Sequence, residues 1–347
     1  MTLRKLFLKA LAGKADVLDP SEVDLASCNS ILVIRQHDML GDFLLATPVF
    51  QALRKSFPQA RIGVVVREYQ MDCVVNNPYV DEILLFYRQN HRWTPSKLYS
   101  FWKQIRKRWD MAIVLNTVSH SITSDLIASF SGARYVAGSE FPSLTGFDSP
   151  IFYNIISGYA KEFRHQTDRN LDIVRPLGVD AISRNEQMFL SSDEEEAALH
   201  ELQKSGIKKD KKRIELHLGA GKIKNRWPVK SFASLAARLQ GEKDAQILIF
   251  WGEQESELEK EFSRLIDFDV VRVPPGGIRD LAARFRMCGA VVCNDTGVMH
   301  ICASVGVPLV AVFGPTDPEE WKPIGSQFIA VRGRDNTTES VAVDEVY

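Results

Sequence analysis

The sequence lacks the features that mark several classes of protein. None of its apolar runs approaches the roughly 18 residues that a membrane-spanning helix needs, so no transmembrane segment is predicted. Its N-terminus has neither a secretory apolar region nor a cleavage site, which excludes a secretory signal peptide. The chain carries 43 Lys+Arg against 44 Asp+Glu, a formal net charge of -1, and this balance argues against a general nucleic-acid binder.

Cysteine is scarce and shows no pattern. The five cysteines form no CxxC pair, and no Cys/His cluster has the spacing of a zinc site. Most of them lie among apolar residues, which is typical of small core residues in a reducing compartment. They are Cys28, Cys73, Cys288, Cys293 and Cys302.

Three common ligand or catalytic motifs are also absent. The Walker pattern GxxxxGK[ST] does not occur, and no GxGxxG follows the first strand of either predicted half. The GxSxG elbow of hydrolases is missing as well. The sequence therefore gives no support for a P-loop site, for a nicotinamide or flavin dinucleotide site, or for a hydrolase with a nucleophilic serine at such an elbow.

The chain does contain two successive α/β patterns. A length of 347 residues exceeds a typical single core, so two domains are predicted. Strands alternate with helices from Ile31–Ile34 onward, and the pattern restarts at Ile214–Leu218. Such alternation predicts a parallel, doubly wound sheet in each half. We place the domains at 1–180 and 181–347, with a linker around Gly178–Ser192 and a ligand cleft expected between the domains.

The first residues, MTLRKLFLKALAGK, are basic and partly apolar. On a helix, Leu3, Phe7, Ala10 and Leu11 share one face, surrounded by four cations. This pattern is typical of a membrane-surface helix. It is equally typical of a helix packed on its own domain, and we favour the second interpretation slightly.

The stretch Val291–Pro315 predicts a βαβ unit with a polar turn after its first strand. Ligands bind open α/β sheets at this place, and the free amides of a helix start suit phosphate. In the turn, Thr296 supplies a hydroxyl and Gly297 permits close approach, while His300 lies one turn further. The alternative to a phosphate site is a capped turn with a purely structural role, in which His300 is hydrogen-bonded within the core.

Two further turns follow strands. In DMLGDFLLATP, Asp42 begins a helix directly after Gly41. Asp42 is a candidate general base for an incoming hydroxyl, and Gly41 would let a substrate approach. Alternatively, Asp42 only stabilises its helix.

The turn HLGAGKIKNRWP combines two glycines with cations. The turn contains Lys222, Lys224 and Arg226. These cations would stabilise the negative charge of a diphosphate leaving group. The alternative is a basic surface loop in which Trp227 packs against the following helix.

Together these turns resemble the ADP-heptose:lipopolysaccharide heptosyltransferases, glycosyltransferase family 9. The resemblance rests on LGDFLLATPVFQALRKSFPQA, GAGKIKNRWP and NDTGVMHICASVGVPLVAVFGPTDP, in this order, and spans roughly residues 31–331. It implies a GT-B fold with an N-terminal acceptor domain and a C-terminal nucleotide-sugar domain, whose sheets face a central cleft.

The resemblance also implies an activity and roles for individual residues. A heptose would pass from ADP-heptose to the Kdo or heptose of the inner core, with inversion and without a metal or other cofactor. Asp42 matches the proposed base, and the donor motif matches Asp295, Thr296, Gly297 and His300. Glu253 falls where the family places a ribose-binding carboxylate. Where the family has a Lys this chain has Asn225, so the role of neutralising phosphate passes to Lys222, Lys224 or Arg226.

The basic, aromatic segment Arg88–Trp109 is a candidate for binding the phosphorylated lipid acceptor, with Arg92 as its representative cation. Its alternative is an ordinary amphipathic helix with a solvated cationic face. The expected partners are a nucleotide sugar and a lipid A-core acceptor, and the expected location is cytoplasmic, with peripheral contact at the inner membrane. Two other functions stay open: a GT-B transferase that uses UDP- or GDP-sugars, and a non-catalytic nucleotide-sugar-binding relative.

Overall fold

The computed structural model describes residues 17–37, 39–140, 152–158, 163–208 and 210–347. The predicted amphipathic helix at the N-terminus lies outside these residues. The described chain divides into two compact units, the first ending at Arg184 and the second beginning at Asn185. The boundary predicted at residues 180 and 181 falls just before this point.

Unit 1 contains one six-stranded parallel sheet. Its strands are β1 (Ser30–Ile34), β2 (Arg61–Arg67), β3 (Glu82–Phe86), β4 (Met111–Val114), β5 (Tyr135–Ser139) and β6 (Ile155–Ser157). They are ordered β3-β2-β1-β4-β5-β6, and every pairing is parallel. Its α-helices are α1 (Leu40–Leu44), α2 (Thr47–Ser56), α3 (Glu68–Val74), α4 (Pro95–Ile105), α5 (Ile122–Phe130) and α6 (Gln166–Val174).

Unit 2 repeats this arrangement. Its strands are β7 (Arg213–His217), β8 (Gln246–Phe250), β9 (Val271–Val273), β10 (Ala290–Asn294), β11 (Leu309–Phe313) and β12 (Phe328–Arg332). Their order is β12-β11-β10-β7-β8-β9, again all parallel. Its α-helices are α7 (Ser192–Lys204), α8 (Val229–Lys243), α9 (Ser256–Leu265), α10 (Ile278–Arg286), α11 (Gly297–Ser304), α12 (Pro318–Trp321) and α13 (Val343–Val346).

The doubly wound parallel sheet predicted for each half is confirmed. In each unit the chain places its second and third strands to one side of the first strand and then its last three strands to the other side. The winding therefore reverses between β1 and β4 in unit 1 and between β7 and β10 in unit 2. Ligands bind at such switch points, outside the carboxyl ends of the strands.

One predicted helix is divided in the structure. The sequence predicts a single helix from about Phe43 to Ser56, whereas α1 ends at Leu44 and α2 begins at Thr47. The reason is Pro48, which has no N–H to donate and whose ring would clash with the carbonyl of the residue four positions earlier in a continuous helix. That carbonyl belongs to Leu44 and accepts instead a hydrogen bond of 2.6 Å from the Thr47 hydroxyl.

The interior of each unit is built from its strands and the inner faces of its helices. In unit 2, Trp227 and Phe232 pack edge to face, with ring centroids 4.9 Å apart, and both are fully buried. All five cysteines are buried and unbridged, as predicted for small core residues. Within the part of the chain that the structure describes, no helix is both long and apolar enough to cross a bilayer.

Candidate functional site

The switch point of unit 2 gathers two polar loops. One follows β7 and runs from Leu218 to Pro228, and the other follows β10 and runs from Asp295 into α11. Because β7 and β10 are neighbours, both loops leave the same edge of the sheet. Six predicted donor residues lie in these loops: Lys222, Lys224, Arg226, Asp295, Thr296 and Gly297.

Asn294 joins the two loops. Its side chain is completely buried, and its Nδ2 donates to the carbonyl oxygens of Leu218 and Gly219, each at 3.0 Å. Its Oδ1 accepts from the Trp227 N–H at 2.8 Å. Buried amides are stable only when hydrogen-bonded, so Asn294 fixes the spacing between the loops.

Asn225, in the loop after β7, makes a second connection to the loop after β10. Its Nδ2 donates to the Asp295 carbonyl oxygen at 3.1 Å and to the Asp295 carboxylate at 2.8 Å. The position where the resemblance implies a lysine therefore holds a buried amide that orients Asp295. Lys222 and Lys224 are exposed, whereas Arg226 is half-buried and directs its Nε to the Ala220 carbonyl oxygen at 2.8 Å.

A cavity of about 400 Å³ opens beside these loops in unit 2. One part of its wall is apolar and is formed by Phe250, Trp251, Pro274, Pro275 and Leu281. Ionisable or hydroxyl side chains form another part: His217, Glu255, Arg284 and Thr296. Apolar walls with a few converging polar groups are typical of sites for small molecules.

Glu255 is the carboxylate of this cavity. Its Oε2 accepts from the Gly252 N–H at 2.8 Å and lies 3.5 Å from His217 Nε2. The sequence prediction chose Glu253, which begins the 3-10 turn Glu253–Glu255 and whose side chain is not among those described. Burial lowers the pKa of His217, so its ring is neutral at pH 7 and binds by hydrogen bonding rather than by charge.

Arg284 is held in the cavity wall by hydrogen bonds to three oxygen atoms. Its Nη1 donates to the Pro274 carbonyl oxygen at 2.9 Å, and its Nε and Nη2 donate to the two carboxylate oxygens of Glu201 at 2.9 and 2.7 Å. A bidentate pair of this kind fixes the guanidinium plane. Sequence reasoning missed Arg284, because its helix shows only an ordinary amphipathic pattern.

His300, the remaining residue of the predicted donor motif, pairs with a buried carboxylate. Its ring is buried, and Nδ1 lies 2.9 Å from Oε1 of Glu186, which is also buried. The nearby N–H of Met188 donates to the Ser304 carbonyl oxygen at 3.0 Å. These contacts tie α11 to the segment before α7, so the structure favours the bracing alternative for His300. Thr296 is the hydroxyl that lines the cavity, and it makes no capping hydrogen bond.

The switch point of unit 1 carries Gly41 and Asp42, which lie in α1 just after β1. Asp42 is only 7% exposed, and its Oδ2 accepts from the Met39 N–H at 2.7 Å. The carboxylate therefore caps its own helix, as in the structural alternative. Gly41 is buried within the same turn.

Arg92 lies apart from this switch point. It ends the 3-10 turn Asn90–Arg92 after β3, an edge strand, and pairs with Glu68 at 2.9 Å while its side chain is half exposed. The second half of its segment is the amphipathic helix α4, which buries Phe101 and Ile105 and exposes Leu98, Tyr99 and Trp102. The proposed acceptor role of Arg92 stays a prediction. Among the described residues, no group of three or more His, Cys, Asp or Glu side chains could hold a metal ion.

Comparison with known proteins agrees with this geometry. The model of glycosyltransferase family 9 (heptosyltransferase) matches residues 98–345. Lipooligosaccharide heptosyltransferase 2 of Haemophilus influenzae is 23% identical over 306 residues, which cover 84% of this chain and 86% of that protein.

Two solved structures show the same fold. The family 9 glycosyltransferase of Veillonella parvula superposes with a TM-score of 0.80 at 20% identity and covers 97% of both chains. The E. coli ADP-heptose lipopolysaccharide heptosyltransferase II superposes with a TM-score of 0.73 at 21% identity, covering 91% of this chain and 96% of the other.

Two six-stranded parallel sheets, together with these structural matches, define the GT-B fold. The match to the family model makes the chain a glycosyltransferase. The chain belongs to glycosyltransferase family 9, the heptosyltransferase family.

Proposed function

We propose that this protein transfers a heptose from ADP-heptose to the Kdo or heptose of the lipopolysaccharide inner core, with inversion and without a metal. Membership of family 9 supports the reaction class, and the name of the E. coli relative supports the donor. The observation that carries the proposal is the cavity of unit 2, which adjoins the start of α11 at the switch point.

The donor would occupy unit 2 in three parts. The adenine would lie among Phe250, Trp251 and Pro274, and Glu255 would accept hydrogen bonds from the ribose hydroxyls. The diphosphate would bind at Thr296 and Gly297, where the free amides and dipole of α11 favour negative charge.

The chemical step needs an acceptor hydroxyl and a stabilised leaving group. The hydroxyl oxygen would attack the anomeric carbon from the face opposite the diphosphate, which gives inversion. ADP would leave with its negative charge stabilised by the α11 amides and by Lys222 and Lys224, which take the role of a metal. At the switch point of unit 1, Asp42 would orient the acceptor hydroxyl, and the resemblance also makes it the candidate base.

A lipid-anchored acceptor would place this reaction at the inner face of the cytoplasmic membrane. We therefore propose a cytoplasmic enzyme with peripheral membrane contact.

A panel of nucleotides tests the donor assignment. We expect ADP to raise the Tm of the full chain, because a ligand at 100 times its Kd stabilises the folded state by about 2.7 kcal/mol. UDP and GDP at the same concentration should raise it much less. Stabilisation by UDP or GDP without stabilisation by ADP would contradict the heptose assignment and support the use of another nucleotide sugar.

A further inference from the structure

The helix α4 of unit 1 has an outward face that carries large apolar side chains. Its inner side buries Phe101 and Ile105, whereas Leu98, Tyr99 and Trp102 are 56%, 68% and 43% exposed. Single exposed apolar residues are ordinary on a protein surface. These three, however, lie within about 100° of one another around one helix, since each residue turns the chain by about 100°. Packing within unit 1 does not account for such a concentration.

Cations border these apolar side chains. Lys103 lies one helical turn after Tyr99. Arg106 lies one turn after Trp102, and its guanidinium is 5.5 Å from the centroid of that ring. The Trp102 ring also contacts Phe130 of α5, with ring centroids 5.5 Å apart, so the indole is supported at the surface. We call Leu98, Tyr99, Trp102, Lys103 and Arg106 the basic aromatic face.

The sequence around this face carries charge of one sign. Between Glu82 and Asp110 it contains seven cations and no acidic residue. The cations are Arg88, Arg92, Lys97, Lys103, Arg106, Lys107 and Arg108. Arg92 pairs with Glu68 and Lys107 pairs with Glu82, but the other five form no ion pair with any residue that the structure describes. A helix that faces only water usually mixes both signs of charge, so this surface is matched to an anionic partner.

The start of α4 lies at the same end of unit 1 as Asp42. All strands of this unit are parallel, so the carboxyl ends of β3 and β1 share one edge of the sheet. From this edge the chain passes from Phe86, the last residue of β3, to Pro95, the first of α4. β3 is two strands from β1, a distance of roughly 10 Å. A partner bound at the start of α4 is therefore near the place where an acceptor would reach Asp42.

The combination of side chains fits an anionic phospholipid bilayer. Tyr and Trp concentrate at the level of the lipid headgroups, and a leucine beside them inserts into the boundary with the acyl chains. Lys and Arg bind lipid phosphates, and each one near an anionic membrane surface strengthens binding about fivefold. A dissolved anion would contact the cations alone and leave the apolar side chains in water.

We propose that the basic aromatic face docks on an anionic phospholipid bilayer, with Leu98, Tyr99 and Trp102 at headgroup level and the cations on lipid phosphates. The inference rests on the proposed function, which places the acceptor in a membrane, and it identifies the surface that makes the contact.

The test is cosedimentation of the full chain with vesicles of equal parts phosphatidylcholine and phosphatidylglycerol, without lipopolysaccharide. We expect the wild type to bind these vesicles, to bind less at high salt, and not to bind phosphatidylcholine alone. Lys103→Glu/Arg106→Glu should weaken binding at least about 25-fold, because each lost cation accounts for about fivefold. Leu98→Ser/Tyr99→Ser should weaken it about tenfold, because two side chains no longer enter the interface. All four positions are exposed, so the Tm should stay near wild type.

The matched control is Lys55→Glu/Lys204→Glu, which makes the same change of net charge at exposed lysines on α2 and α7. Its vesicle binding should stay within about twofold of wild type, since distant surface charges are screened. Equal losses in this control and in Lys103→Glu/Arg106→Glu would overturn the inference, and so would undiminished binding by the latter. Wild-type binding only to vesicles that contain lipopolysaccharide would also overturn it and assign the segment to the acceptor.

A separate assay of the wild-type chain distinguishes this inference from the proposed function. It measures transfer from ADP-heptose to a soluble, deacylated acceptor, for which no bilayer is needed. Transfer to this acceptor without binding to the anionic vesicles would overturn the inference alone. Vesicle binding without transfer to any heptose-deficient acceptor would overturn the proposed function alone.

Discussion

Replacing Asp42 with Asn is expected to lower kcat for heptosyl transfer by at least about 100-fold. Asp42 lies at the switch point of unit 1, where an acceptor hydroxyl would approach the carboxyl ends of β1 and β4. A carboxylate accepts a hydrogen bond from that hydroxyl and aligns its lone pair for attack, whereas a carboxamide accepts more weakly and presents a competing donor.

Asparagine is the informative substitution because it keeps the structural role of the residue. The side-chain oxygen of Asn can still accept from the Met39 N–H, so α1 should keep its cap. We therefore expect the Tm to change little. The Kd for ADP, whose proposed site is in unit 2, should stay unchanged. Calorimetric titration with ADP and initial rates of transfer measure both quantities. Near-wild-type turnover would mean that Asp42 serves only as the helix cap.

Gly219→Ala should weaken ADP binding at least about tenfold, which corresponds to about 1.4 kcal/mol. A Cβ atom at Gly219 would overlap the carboxylate of Glu255. Because Glu255 is also anchored by the Gly252 N–H, it must leave its place in the cavity to make room. The ribose would then lose its hydrogen-bond acceptor.

The same loop supplies the control. A Cβ atom at Gly221 would meet nothing within 4 Å, so Gly221→Ala adds the same methyl group without displacing a neighbour. We expect calorimetry to give a wild-type Kd for Gly221→Ala and a raised Kd for Gly219→Ala. Equal effects of the two substitutions would show that Glu255 does not contact the nucleotide.

Local chemistry made part of the site predictable. Gly41-Asp42 and Asp295-Thr296-Gly297 each follow an apolar strand, and the alternation of strands and helices places both turns at carboxyl ends of parallel sheets. The break between α1 and α2 was also readable, since Pro48 excludes a continuous helix. We predicted one helix because the apolar pattern continues across the break.

The remaining site depends on contacts that sequence spacing does not reveal. Glu255 lines the cavity because the 3-10 turn after Gly252 directs its third residue back to the Gly252 N–H. Asn225, which looked like a departure from the family, proved to be the amide that holds Asp295.

We expect this chain to move a heptose from ADP-heptose to the lipopolysaccharide core. The most direct measurement incubates the full chain with ADP-heptose and heptose-deficient lipopolysaccharide, then follows the acceptor by mass spectrometry and the release of ADP. We predict that the acceptor gains the mass of one heptose for each ADP released. Transfer from a UDP- or GDP-sugar together with no transfer from ADP-heptose would contradict the account.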